Sequence, residues 1–593
     1  MQRLMCGLVL LAVCLGLVQA GGLAAQPKPT AITNVEVFDA TGAAPWHGTV
    51  VIREGRIVEA GPKVKPPRGA RIIKGDGRAL LPGLFDVHTH WSPRGTPSGL
   101  PEIAARYLAA GVTTVNDFHQ PPEAFAPRRE WLAGIPAPHV NFVARMSTPG
   151  GHGADWSDET TTKWVATPDS ARRAVRELLP YGPDYIKVFT DGWRYGTSPE
   201  ETSMNEETLT ALAEEAHANG IRLLTHTVTA ARGAQAARAG VDIIAHSLQD
   251  RALNAEDIAE LVASGLSYAP TLAIYEPRRP GAPEPDMTNA NARQRVWKYG
   301  IAEQNLRALF AAGVPVALGT DAGIGSLEHG EASLRELELL VAAGLSPTDA
   351  LMAGTANSAA ALGVLDDRGT IAPGKRADLI LVEGRPWVSI SDIRRISLVF
   401  VDGRLLHDAA KPAPLSPLAP PVRMAAALID DFERADGRTA LDTLPVTDLD
   451  FGAERSVITS ARRPLLEGGH ALSVGARMAR KDMPVAGIVF PLSRGSVMPV
   501  DATAFAGVSL DLFGEGKYTL RLLTLSGYWE AEVSAGPGWQ RLEVPFSAFA
   551  YSGGGARPAW TGRDLLQVGV MVSRPAGENA WFEIDNIGFY TAD

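Results

Sequence analysis

Cysteine is nearly missing from this sequence: 593 residues contain two, Cys6 and Cys14. Both fall in an N-terminal apolar run, so the remainder has no thiol for a disulfide or a thiolate metal ligand. A metal site in this chain must use His, Asp, Glu or a modified Lys. Concentrated basic stretches are missing too. The formal net charge is -10, and no run of Lys and Arg supplies the positive surface that phosphate binding needs, which excludes a nucleic-acid partner. The short pairs Arg128-Arg129 and Arg278-Arg279 read as solvated loop charges. One apolar run stands out, Leu4 to Val18, preceded by Arg3 and followed by small residues. That is the pattern of an export signal cleaved after Ala20 or Ala25, and it falls short of the roughly 20 residues of a membrane span. The expectation is a signal peptide over 1–25, a secreted or periplasmic protein and no stable membrane span.

A chain this long requires more than one hydrophobic core. Short β-rich runs with Gly and Pro turns occupy 28–80, for example Ile32 to Val37 and Gly48 to Arg53. The same texture returns at 366–409, in Asp378 to Val382 and Ser397 to Val401, as if one small β-sandwich module were split around an insertion. The insertion, 81–365, alternates strand-like and helix-like segments. Eight strands are expected: Leu80 to His90, Thr113 to Phe118, Val140 to Met146, Tyr185 to Thr190, Arg222 to Val228, Asp242 to Ser247, Ser267 to Tyr275 and Pro315 to Ala322. Helical stretches such as Asn205 to Asn219 and Ala255 to Ser264 lie between most of them. The fold class is α/β, a (β/α)8 TIM barrel, which typically takes about 250 residues. A Pro-rich linker at 410–424 leads into 425–593, where short strands and Gly-rich turns indicate an all-β sandwich.

Groups able to bind metal cluster at the C-terminal ends of the expected barrel strands, where active sites of this fold lie. Strand one ends Asp86-Val-His88-Thr-His90, and alternation puts His88 and His90 on one face. Strands five and six end at His226 and His246, and strand eight at Asp321. Lys187, flanked by apolar residues in Tyr185-Ile-Lys-Val-Phe189, is a costly place for an ammonium group. Carboxylated by carbon dioxide it would be an anionic two-oxygen bridge between cations; paired to a carboxylate it would be structural.

This set resembles the amidohydrolase superfamily over roughly 30–408, and Thr370-Ile-Ala-Pro-Gly-Lys-Arg-Ala-Asp-Leu-Ile-Leu-Val382 resembles that family's return into the split module. The resemblance implies two divalent metal ions, with zinc suited to such ligands. His88, His90 and Asp321 would hold the first, His226 and His246 the second, and carboxylated Lys187 would bridge them. It further implies hydrolysis by a water activated between the ions, with Asp321 moving the proton. Deaminases of the superfamily usually lack the bridging Lys and carry an acidic residue after strand five, whereas here His226 is followed by Thr227-Val-Thr-Ala230.

Gly150-Gly-His152-Gly153, the glutamates Glu331, Glu336 and Glu338, and Leu339 to Leu351 resemble the imidazolonepropionase-like and prolidase-like subgroup. That likeness implies cleavage of an amide bond in a peptide or N-acyl amino acid, as in a dipeptidase, with His152 and Tyr195 as substrate contacts. Thr225, Thr227 and Ser247 replace the small neighbours common in the subgroup. A lactonase or phosphotriesterase-like hydrolase, a mononuclear deaminase and a metal-free binding scaffold are the alternatives. The C-terminal region resembles the complex I intermediate-associated protein 30 family, a galactose-binding-like jelly roll, in Ile429-Asp-Asp-Phe432 and Phe582 to Phe589. Its aromatics Trp529, Trp539 and Trp560 would form either sandwich core or a surface for carbohydrate or protein contact.

Overall fold

The computed structural model describes residues 28–91, 100–154, 161–191, 202–411, 420–450, 454–554 and 556–592. The expected signal segment, Tyr195 and most of the linker lie outside them. No helix among the described residues is long and apolar enough to cross a membrane.

Five strands come first: β1 (Thr30–Val37), β2 (Trp46–Arg53), β3 (Arg56–Gly61), β4 (Arg71–Lys74) and β5 (Ala79–Pro82). Their apolar residues, among them Ile32, Val37, Val50 and Ile52, make a core of their own. The chain then enters a parallel sheet of β6 (Leu84–Thr89), β7 (Val112–Asp117), β8 (His139–Ser147), β9 (Thr162–Trp164), β10 (Tyr185–Phe189), β11 (Arg222–His226), β12 (Ile243–Ala245) and β13 (Ser267–Ala269). Seven of these run side by side from β6 to β13, and β9 adds to β8. Afterwards β14 (Leu379–Val382), β15 (Ile396–Val401) and β16 (Arg404–Asp408) complete the first sheet, with Ile380 of β14 opposite Leu81 of β5. His139, at the start of β8, reaches Asp378 at 3.1 Å and ties the module to the barrel floor.

The barrel closes through Pro315–Ala322, though not as the continuous strand expected there. Tyr268 N donates to Pro315 O and Ala317 N to Tyr268 O on one side; Val87 N donates to Leu318 O and Asp321 N to His88 O on the other. Pro315 lacks a donor, and Asp321 has φ 66°, so the extended ladder is broken while the seam stays bonded. The expected seventh strand also ends early. It stops at Ala269, Thr271 turns left-handed at φ 48°, and Leu272–Tyr275 is a helical turn. Arg128 departs from expectation as well: it lies on the helix Phe125–Ala133 and is buried, while Arg129 pairs with Asp184. Burial lowers the Arg128 pKa to about 10, partly offset by the charge of Asp117.

Helix starts follow the capping residues. Thr167, Asn205 and Asn254 each accept a hydrogen bond from the third residue of the helix that follows, satisfying an otherwise orphaned N–H.

The C-terminal region forms two β-sheets over a shared core in which Trp529, Tyr518 and Phe582 are buried. Trp560 packs edge-on against Trp529 at 5.1 Å, so these two belong to the interior rather than to a surface platform; Trp539 is 40% exposed. This sandwich docks on the barrel. Glu123, buried beside β7, accepts from Arg438 and Arg494 of the sandwich. Burial pushes its carboxyl up, but the two guanidiniums prevail and hold it below the usual range. Gly495 permits the close approach: a Cβ there would stand 2.5 Å from Ala124 Cα.

Candidate active site

Strand alternation builds the site above an apolar floor. Val143, Tyr185 and Leu224 belong to one buried cluster, and two residues further along the same strand faces come Arg145, Lys187 and His226. The polar ends are therefore lifted to the C-terminal mouth of the barrel, with hydrocarbon below them.

Four imidazoles, one carboxylate and one amine converge there. His88 Nε2 and His90 Nε2 lie 3.3 and 2.9 Å from Asp321 Oδ1. Lys187 Nζ lies 3.3 Å from His88 Nε2. The His246 ring is centred 4.6 Å from His88 and 4.2 Å from His226. His152 is brought in from the loop after β8, its ring 4.4 Å from that of His226. All of these except half-buried His152 are buried. Tyr195 lies outside the described residues.

Electrostatics prepare these groups as donors. Burial, reinforced by the charges of Lys187, His90 and His226, holds the His88 pKa well below the usual histidine range, so its nitrogen is unprotonated at neutral pH. Burial also lowers the Lys187 amine to about 7, against the pull of Asp321. One ligand atom each from His88, His246 and Asp321 lies within 4.8 Å of the others. Neutral imidazoles and a carboxylate at that spacing are the donor set that a zinc-like divalent ion takes, so the residues fit a metal.

A layer behind these residues holds them, and little of it is legible locally. Asp86 accepts from Thr320 Oγ1 at 2.7 Å and Ser333 Oγ at 2.8 Å, tying the strand of His88 to the segment of Asp321. Asp191 accepts from Thr227 Oγ1 at 3.0 Å and Val228 N at 2.7 Å, bracing the turn after His226. His246 Nδ1 lies 3.0 Å from Thr271 Oγ1, which aims its other nitrogen at the site. His246, Thr271 and Asp321 all have positive φ, at 80°, 48° and 66°, a strained geometry that surrounding contacts must maintain.

Glu336, on the helix Glu331–Ala342, is one such contact. Its two oxygens accept from Leu272 N at 2.8 Å and Ala273 N at 2.7 Å, immediately after Thr271. Burial raises its pKa from 4.5 to about 8 despite those bonds. The folded chain thus holds a proton that the unfolded chain releases. The associated stability is complete below about pH 4.5 and is lost as pH rises through about 8. In metal-free protein, wild type is expected to lose stability relative to Glu336→Gln between pH 5 and 8, by at most about 1.4 kcal/mol per pH unit. Chemical denaturation across that range checks this; parallel curves for the two proteins would contradict it.

Residues 79–406, more than half of the chain, match the amidohydrolase family. An imidazolonepropionase from Deinococcus deserti is 26% identical over 366 residues, covering 57% of this chain and 86% of that protein. Adenine deaminase 1 from Latilactobacillus sakei is 24% identical over 480 residues, covering 76% of this chain and 70% of the relative. The crystal structure of a Xaa-Pro dipeptidase with bound methionine in the active site superposes with a TM-score of 0.55 at 23% identity, over 64% of this chain and 100% of that one, a likeness of fold. The candidate ligands at the strand ends, the barrel that carries them and the match across 79–406 agree: this chain belongs to the amidohydrolase family, is a metal-dependent hydrolase and falls in its imidazolonepropionase-like and prolidase-like subgroup.

Proposed function

We propose that the chain is an exported binuclear hydrolase that cleaves an amide bond in a peptide or an N-acyl amino acid. The observation that carries this reading is the position of Lys187, a buried amine 3.3 Å from His88 Nε2 among the candidate ligands. A permanent ammonium there would repel cations. The neutral amine instead adds to carbon dioxide, forming an N–C bond and releasing one proton, and the resulting carbamate offers two anionic oxygens. His88, His90 and Asp321 would hold one ion, His226 and His246 the other, with the carbamate between them. Bound divalent ions supply Lewis acidity and make a shared water a ready nucleophile at neutral pH.

The protein's own groups do the rest. Asp321, between His88 and His90, takes the proton of the attacking water and returns it to the leaving amine. Phe118 and Phe189 flank Lys187 and keep bulk water from the bridge. His152, over His226, is placed to donate to a substrate carbonyl or carboxylate. Hydrolysis is favoured over deamination because the carboxylate nearest the turn after His226, Asp191, already accepts bonds there with both oxygens.

Gly153 is what lets the His152 loop close. Its φ is 92°, and a Cβ there would stand 2.6 Å from the Phe189 ring. Gly153→Ala is expected to move His152 off His226 and lower kcat/KM about 100-fold, with an unchanged circular dichroism spectrum. An unchanged kcat/KM would remove this loop from the reaction.

Substrate class is tested by mass spectrometry of zinc-loaded protein with bicarbonate and pooled dipeptides, N-acyl amino acids, lactones and heterocyclic amines. Cleavage confined to amides is the expected result. Ammonia release or lactone opening without amide cleavage would overturn the amide reading. Export rests on the Arg3, Leu4–Val18 and small-residue pattern, and N-terminal sequencing of protein from the culture medium or periplasm would find the start after Ala20 or Ala25.

A further inference from the structure

A cavity at the contact between the domains has no role in the chemistry described above. It is a cleft of about 920 Å3 where the sandwich meets the barrel. Gly150, Ala154 and Trp164 line it from the barrel; Leu449, Ile458, Leu472 and Ile488 line it from the sandwich, where the two sheets part. Ligand sites favour such domain interfaces, and this volume lies within the ~300–1,000 Å3 they usually occupy.

Two observations give the cleft a purpose. The first is its place beside the loop that carries His152. Gly150 and Ala154 belong to the loop whose middle residue, His152, packs on His226. The second is the chemistry of the lining. Four arginines stand in it, and each already has partners in its own chain. Arg434 pairs with Asp436, Arg438 with Glu123, and Arg455 Nε donates to Asp450 O. Arg462 donates to the carbonyls of Phe432 and Glu433. The cations are spent on holding loops and the domain contact, and the apolar walls face the space.

We propose that this cleft is an acyl-chain subsite, completed by the C-terminal sandwich, and that the substrate is an amino acid N-acylated with a medium or long aliphatic chain. The inference rests on the amide-hydrolase reading and narrows it: the amide is held at the histidines and the hydrocarbon lies between the domains. The sandwich then acts as a specificity wall for the barrel.

Two arms test it on full-length, zinc-loaded protein. In the first, kcat/KM is measured for one amino acid carrying acyl chains from acetyl to dodecanoyl. The expected rise is about fourfold per CH2 until the cleft is filled. A flat series, in an enzyme that does cleave these amides, would sink the acyl subsite and leave the amide reading intact. The second arm needs no hydrolysis: calorimetric titration with sodium dodecanoate. Wild type is expected to bind it, and Val457→Asp and Trp164→Ala, changes at exposed cleft residues on opposite domains, are each expected to weaken binding tenfold or more. Equal affinity in wild type and both variants, or no binding to wild type, would overturn the proposal whether or not any amide is cleaved.

Discussion

Lys187→Ala is expected to lower kcat/KM on the order of 10³-fold and to reduce bound metal from about two ions per chain to about one. The residue is buried on β10 with Ile186 and Val188 packed around the strand, so the position tolerates an apolar replacement without exposing a charge. What disappears is the amine 3.3 Å from His88 Nε2, hence the only group able to become a bridging carbamate on that strand. Small carboxylic acids such as acetate should partly restore activity by supplying two oxygens where the proposed carbamate would stand. Lys187→Met separates chemistry from packing: it keeps the volume, and its thermal transition should match wild type while its activity matches that of Lys187→Ala. Full activity in Lys187→Ala without added acid would rule out the carboxylated lysine.

Asp321→Asn is the second large effect. The change is nearly isosteric, but it removes the negative charge facing His88 and His90 at 3.3 and 2.9 Å. As the proposed proton carrier, Asp321 should account for roughly 10²–10⁴-fold of the rate. Loss of the acid limb of the kcat–pH profile should accompany the fall in rate. A profile that retains its acid limb at reduced amplitude would show that Asp321 acts through metal binding alone.

Both experiments concern residues that sequence reasoning could reach, and the reason is physical. His88 and His90 share a face because strands alternate, and their position at a strand end is a local property of the chain. Lys187 could be singled out because an amine within Tyr185-Ile-Lys-Val-Phe189 conflicts with its neighbours. β5 and β14 are each short apolar runs, and their pairing of Leu81 with Ile380 spans the whole barrel.

Features made by distant residues were not readable. Glu336 steadies the loop after β13 from 64 positions away, and nothing in Arg335-Glu-Leu337 announces that its carboxylate is buried. Arg128 and Arg129 both read as loop charges, yet both lie on the helix Phe125–Ala133, and the burial of Arg128 is set by how that helix packs. The eighth barrel position misled in the opposite direction. Pro315–Ala322 is apolar enough for a strand, yet Pro315 and the left-handed Asp321 leave only bonded seams to β13 and β6. That bend is part of the site, since it brings the Asp321 carboxylate to the two histidines. The cleft between barrel and sandwich needs two domains at once, and no local pattern encodes it.

The most direct test of the central claim is metal stoichiometry. Full-length protein would be loaded with zinc in bicarbonate buffer, desalted, and analysed by inductively coupled plasma mass spectrometry beside Lys187→Ala. About two ions per chain are expected in wild type and about one in the variant. One ion in both proteins would contradict the binuclear centre and favour a mononuclear hydrolase on the same barrel.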